Sequence, residues 1–307
     1  MTNATGPRLA LITALMAAVT LHAQQPPAQQ PPQAQPGTAA QPGQGRGRAG
    51  GGGFRQPDPI DFQEHDGWTS LFDGQTLKGW SGDSHWKVED GAIVVESSCE
   101  KPTGTIYLVW QGGEAADFEL KLEMKGTETI NGGVQYRGWI APNPPRPQRQ
   151  GQADAAPRPP APPCPSGAPR GTPPDAKSEE QWNMWGAQYD FDAGNRYTGQ
   201  FYEQSTGRGI VAWKGQVVRT EQGKNPRLLA TLGEPAVIDS YYKKDDWNEL
   251  HIIAIGNQMT HILNGHVLSI LIDEDASKAR RSGIIGLEVE ATGKLFTRNI
   301  WLKKLSQ

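Results

Sequence analysis

Asp117-Phe118-Glu119-Leu120-Lys121-Leu122-Glu123-Met124-Lys125 alternates without a break. Side chains of a strand point to opposite faces at each step. Phe118, Leu120, Leu122 and Met124 therefore share one face, and Glu119, Lys121, Glu123 and Lys125 the other. One apolar face and one wet face describe a strand half-buried in an antiparallel sheet.

The same reading extends in both directions. Asp90-Gly91 lies between Trp86-Lys87-Val88-Glu89 and Ala92-Ile93-Val94-Val95-Glu96. Asn264-Gly265 lies between strands expected at 259–263 and 266–272. A two-residue hairpin turn needs positive φ at both positions, and these dipeptides supply it. Further strands are expected at 248–255, 283–290 and 295–305. No long helical period interrupts them. Many short strands at regular spacing predict an all-β domain over 63–307, a sandwich or barrel.

The chain in front of this domain reads differently. Arg8, an apolar run over 9–21 and the His22-Ala23 boundary have the layout of an export leader over 1–23. The run is shorter than the ~20 residues of a membrane helix, so no integral span is expected after cleavage. Residues 24–62 are rich in Pro, Gln, Gly and Ala and predict a disordered linker, since they hold too little apolar surface to offset ordering. A second such stretch, 141–175, interrupts the domain; it reads either as a mobile loop beside a site or as an inert insertion. Periplasmic or secreted localisation follows from the leader. There the two cysteines, Cys99 and Cys164, could pair, although spacing alone does not bring them together.

Thirty Lys and Arg against 33 Asp and Glu give a net charge of −3. That gives no electrostatic case for a nucleic-acid partner. No nucleophile elbow, phosphate loop or His/Cys metal spacing occurs. His251, His261 and His266 read as lone strand histidines with packing or surface roles.

Gly186-Ala187-Gln188-Tyr189-Asp190-Phe191-Asp192 is the most informative strand for chemistry. Gln188, Asp190 and Asp192 share a face, and burying three polar residues without a use is costly. They suit the concave face of a sandwich, where a sugar could lie. Sandwich glycosidases of the laminarinase type carry acid–x–Asp–x–acid there, with the first acid as nucleophile. Gln188 cannot ionise, which disfavours that route. In Val134-Gln135-Tyr136-Arg137, alternation puts Gln135 and Arg137 on one face. Arg137 offers a planar fork to a carboxylate or enolate oxygen, or forms a surface ion pair. Tyr202 and Glu203 are candidates for acid, base or sugar ligand. Arg208 between two glycines could fold inward, and Trp139 is a candidate sugar platform.

Seven motifs occur in order: Leu71-Phe72-Asp73-Gly74…Gly79-Trp80, Trp86-Lys87-Val88-Glu89-Asp90-Gly91, Asp117-Phe118-Glu119-Leu120, Gly132-Gly133-Val134-Gln135-Tyr136-Arg137, Tyr197-Thr198-Gly199, Trp247-Asn248-Glu249…Asn264-Gly265, and Arg298-Asn299-Ile300-Trp301. Together they resemble the 3-keto-disaccharide hydrolase family. The resemblance implies a concanavalin A-like jelly roll. It also implies hydrolase or lyase action on an oligosaccharide or glycoside in its 3-keto form. A C3 ketone acidifies the C2 proton; a base removes it, the enolate is held, and the C1 substituent leaves. On this reading Arg137 supports the enolate, and Asp190, Glu203 or water on a divalent metal is the base. Gln135, Gln188, Tyr202, Arg208 and Trp139 would contact the substrate. Many members read Gln-x-His where this chain has Glu288-Val289-Glu290, so Glu290 would replace the histidine, with Glu288 beside the sugar. A non-catalytic carbohydrate-binding sandwich is the alternative. An ordinary hydrolase is a third reading, requiring two carboxylates ~5 to 9 Å apart.

Overall fold

The computed structural model describes residues 56–142, 162–173 and 180–305. The expected leader, most of the linker and most of the insertion lie outside the described residues. The chain divides into two units, Met1–Pro57 and Asp58–Gln307, and every strand among the described residues belongs to the second.

The strands are β1 (Thr69–Ser70), β2 (Trp80–Gly82), β3 (Lys87–Glu89), β4 (Ala92–Ser97), β5 (Ile106–Trp110), β6 (Phe118–Gly126), β7 (Asn131–Ile140), β8 (Met184–Asp192) and β9 (Phe201–Gln204). They continue as β10 (Gly209–Ala212), β11 (Gln216–Glu221), β12 (Arg227–Thr231), β13 (Asn248–Ile255), β14 (Gln258–Leu263), β15 (His266–Glu274), β16 (Ile284–Glu290) and β17 (Gly293–Lys304). One short helix, α1 (Pro235–Ser240), follows β12. A ten-stranded sheet runs β12-β11-β15-β14-β13-β6-β17-β4-β3, with β1 added on β17. A seven-stranded sheet runs β10-β9-β8-β7-β16-β5-β2. Consecutive strands often fall in different sheets, as a jelly-roll sandwich requires. Among the described residues no helix is long and apolar enough to cross a membrane.

Alternation sets which face meets the core. Phe118, Leu120, Leu122 and Met124 of β6 are fully buried between the sheets, opposite Val134, Tyr136, Tyr189, Leu287 and Val289 of the seven-stranded sheet. Both hairpin turns have positive φ at both positions: 48° and 75° at Asp90-Gly91, 49° and 81° at Asn264-Gly265. His261 is a core residue. Its Nε2 accepts from the Tyr136 hydroxyl at 2.6 Å and its Nδ1 faces the Gly199 carbonyl at 3.3 Å. Burial holds its pKa down to about 3, so it is a neutral tie between sheets.

Both polar stretches are tied down where they meet the domain. Lys121 Nζ donates to the carbonyls of Asp61 and Glu64 and lies 5.6 Å from the Phe62 ring. Within the insertion, residues 162–173 are anchored. Cys99 and Cys164 form a disulfide with Cα atoms 5.7 Å apart, and Gly171 N donates to Cys99 O at 3.0 Å.

Candidate functional site

The outer face of the seven-stranded sheet carries the polar half of each alternation. Three registered rows cross β5, β16, β7, β8 and β9. In the first, Tyr107 opposes Glu288, Glu288 opposes Gly133, and Gly133 opposes Asp190. In the second, Gln135 opposes Gln188, which opposes Tyr202. In the third, Glu290 opposes Asn131, which opposes Asp192. Two strand spacings separate Glu288 from Asp190, roughly 10 Å at Cα.

Gly133 leaves the centre of the first row without a side chain. A Cβ there would lie 2.2 Å from the Tyr189 carbonyl oxygen and 3.2 Å from Gln188 Nε2. The Gln188 amide uses that space to cross β7, and beside it opens a cleft of about 690 Å³ whose lining includes Asn131, Gln188, Asp190, Tyr202, Glu288 and Glu290.

Its hydrogen bonds form a linked set. Gln188 Nε2 donates to Glu288 Oε2 at 2.9 Å and to Gly132 O at 3.3 Å. Gln135 Nε2 donates to Gln188 Oε1 at 3.4 Å. Gln200 Nε2 donates to Asp190 Oδ2. Glu290 accepts from Asn131 Nδ2 at 2.8 Å and from Thr105 Oγ1 at 3.4 Å. Gln204 Nε2 donates to the Tyr107 hydroxyl at 3.0 Å. Gln135 Oε1 and Gln200 Oε1 are buried acceptors without a partner.

Burial and mutual repulsion decide the protonation of this set. Burial, then the nearby Glu290 and Asp190 carboxyls, push Glu288 well above the usual carboxylate range. Burial pushes Asp190 up to about 8 against the opposing Gln200 hydrogen bond, and Glu290 and Asp192 add to the rise. Both carboxyls are therefore neutral acids near pH 7 and can donate hydrogen bonds. Burial also raises the Tyr202 phenol.

The structure brings together Gln135, Gln188, Asp190, Tyr202, Glu288 and Glu290, six of the ten residues expected at a site. The other four lie elsewhere. Arg137 breaks the alternation. It has φ of 48°, and the β7 register shifts against β8 between Tyr136 and Trp139. This bulge turns its guanidinium away from the cleft. There it donates to Ala116 O (2.9 and 2.7 Å), Gly256 O (2.8 Å), Arg280 O (3.4 Å) and Asp117 Oδ1 (3.1 Å).

Glu203 occupies the face of β9 opposite Tyr202. Arg208 Nη1 bonds Glu203 Oε1 at 2.7 Å and Asp273 Oδ2 at 2.9 Å, joining β9 to β15 of the other sheet. Arg208 thus folds inward as expected, but onto an inter-sheet ion cluster. Trp139 lies against Trp185 and under Arg280. Arg137, Trp139 and Glu203 line a separate hollow of about 300 Å³. Asp192, on the expected face, is spent on its own turn, accepting from the backbone N–H of Gly194 (2.9 Å) and Arg196 (2.7 Å).

Asn131, Tyr197, Gln200 and Gln204 also line the cleft and were not singled out from sequence. Gln200 precedes β9 in a loop, where no periodicity marks its direction. Among the described residues, no three His, Cys, Asp or Glu side chains are grouped to hold a metal ion.

A jelly-roll sandwich whose outer face presents carboxyls, amides and phenols in an open cleft defines a carbohydrate-related domain. The sequence profile of the 3-keto-alpha-glucoside-1,2-lyase-like domain matches residues 67–303, and the chain belongs to that family. Similar solved structures include a carbohydrate-binding module, CBM66, from Bacillus subtilis: 13% identity, TM-score 0.40, covering 73% of this chain and 95% of the other. A protein of unknown function with a galectin-like fold, also from Bacillus subtilis, gives 10% identity and TM-score 0.43 over 74% and 90% of the two chains. A protein provisionally called a glycosyl hydrolase, from Parabacteroides distasonis, gives 18% identity and TM-score 0.41 over 78% and 99%. No curated protein matches the chain.

Proposed function

We propose that the chain cleaves 3-keto-glycosides by removing the C2 proton and expelling the C1 substituent. One observation carries the reading. Two carboxyls held neutral, Asp190 and Glu288, stand on either side of Gly133 in one row, with the Gln188 amide lying between them and the more accessible Glu290 beside them. Ordinary retaining hydrolysis asks for an ionised nucleophile where Gln188 stands. Enolate chemistry asks instead for a base and a neutral donor to the C3 oxygen.

In this mechanism Glu290 takes the C2 proton. The C–H electron pair forms the enolate, whose oxygen accepts a hydrogen bond from the Asp190 carboxyl. The pair then returns to make the C1–C2 double bond as the C1–oxygen bond breaks. The leaving oxygen receives its proton from Glu290. These steps complete a 1,2-elimination, and addition of water across C1 and C2 makes the net result hydrolysis. The support expected of Arg137 passes to Asp190. Gln200 Oε1, an unpaired acceptor on a residue of the cleft wall, matches a sugar hydroxyl that needs somewhere to donate. We further propose that the chain works outside the cytoplasm, in the periplasm or secreted. The leader pattern and the Cys99–Cys164 disulfide both support that compartment.

The test incubates the protein with a methyl 3-keto-glucoside and with its unoxidised parent, in H2O and in D2O. The expected result is cleavage of the ketone substrate alone, with deuterium at C2 of the hydrated product. Cleavage of the parent without C2 labelling points to ordinary hydrolysis. Binding of either sugar without cleavage points to a carbohydrate-binding sandwich.

A further inference from the structure

Beyond the cleft, the aromatic wall continues. Tyr197 lines the cleft, and its ring centroid lies 6.4 Å from that of Trp213. Trp213 follows β10, the strand that supplies Ile210 to the same cleft. It is 44% exposed, so its ring is open to a ligand. It also borders a second hollow of about 860 Å³, with Gln216, Thr231, Glu234 and Asp239 among its walls.

The ridge between the two hollows is fixed. Lys214 pairs with Asp239 of α1 at 2.6 Å and donates to Asn195 O, while Asn195 Nδ2 donates to Asp239 O at 3.2 Å. Asp192 holds the other end of this loop through the N–H groups of Gly194 and Arg196. Trp213 N donates to Gln216 Oε1 at 3.1 Å, which holds that amide beside the indole's own backbone. The place thus combines a rigid, exposed indole with polar groups around it. An indole face accepts the C–H face of a pyranose, and the polar groups around it accept the ring's hydroxyls.

We propose that Trp213, with Tyr197 beside it, is a second sugar-binding site that holds the ring attached to the one in the cleft. The preferred substrate is then a disaccharide or longer glycoside whose leaving ring stacks on Trp213. The proposal rests on the reading of the cleft as the 3-keto-sugar site.

The experiment compares a methyl 3-keto-α-glucoside with a 3-keto-α-glucosyl-glucose disaccharide, using wild type, Trp213→Ala and Trp213→Phe. Wild type should favour the disaccharide about tenfold in kcat/KM, mostly through KM. Trp213→Ala should bring that ratio towards one, and Trp213→Phe should keep most of it. If the sugars bind without being cleaved, the same ratio is read from Kd by calorimetry. A ratio near one in wild type, or one that Trp213→Ala does not move, overturns the second site while leaving the cleft reading intact. Failure of both sugars to bind or react overturns the cleft reading as well. Thermal unfolding at the wild-type temperature confirms that each variant is folded.

Discussion

Gln188 reaches across β7 to donate to Glu288 at 2.9 Å, joining strands that are not neighbours. The donor is neutral, so it opposes only in part the upward push that burial and the Glu290 and Asp190 carboxyls give Glu288. Gln188→Glu should place a third carboxyl in the same desolvated space. At pH 8 the variant should lose about 3 kcal/mol of stability in urea unfolding, and much less at pH 5. Equal losses at both values would contradict a charge effect.

Glu290 stands at the more accessible edge of the set, where a base can meet a C–H bond. Glu290→Gln should lower kcat on a 3-keto-glycoside about 10²- to 10⁴-fold, with a small change in KM. Steady-state kinetics alongside a thermal melt separates this from misfolding.

Asp190 sets a pH dependence whose sign is fixed. Its folded pKa is raised from 3.8 to about 8, so the folded chain holds a proton that the unfolded chain gives up. Its stabilising share is complete below about pH 4, declines as pH rises, and is gone above about pH 8. Asp190→Asn should flatten the stability profile across that window, measured by urea unfolding at pH 5, 6.5 and 8. The same variant should remove the alkaline fall in kcat expected as the donor ionises.

Arg137 has a different fate. Its guanidinium fills an inter-sheet position and bonds three backbone carbonyls besides Asp117. Arg137→Met should cost roughly 3 kcal/mol, because buried acceptors lose their donor. The protein that remains folded should keep its KM within about twofold. A large kcat loss at full stability would return this residue to the chemistry.

Cys99→Ser with Cys164→Ser should destabilise the chain by about 4 kcal/mol in the loop-entropy account. Hydrogen exchange should rise first in residues 162–173, which that bond anchors.

Much of the architecture was legible because alternation is a local signal. Phe118 to Met124 declares its own buried face, and Asp90-Gly91 and Asn264-Gly265 declare their own turns. The same rule correctly put Gln188 and Asp190 together. It failed at Arg137, because a bulge is a property of two paired strands and only one is visible in a run of residues. The position of Glu203 was hidden for a related reason. Which face of β9 meets the cleft depends on β8 beside it, and there Tyr202, not Glu203, opposes Gln188. Glu288 was legible through the family resemblance. Gln200 was not, since its contact with Asp190 closes through a loop whose path no periodicity announces. The protonation of Asp190 was equally hidden, because it depends on neighbours contributed by other strands.

The bond between Cys99 and Cys164 also changes what kind of object the chain is. It makes a covalent ring of residues 99–164, and β5, β6 and β7 lie within that ring. A single backbone cut at any point inside it opens the ring without dividing the molecule. β6 and β7 are interior strands of the two sheets, so a protease acting on the Pro-rich stretch before Cys164 would produce a nicked chain that still carries both sheets and the complete cleft. On the proposed placement outside the cytoplasm, that is tolerance of proteases built from topology instead of from added stability.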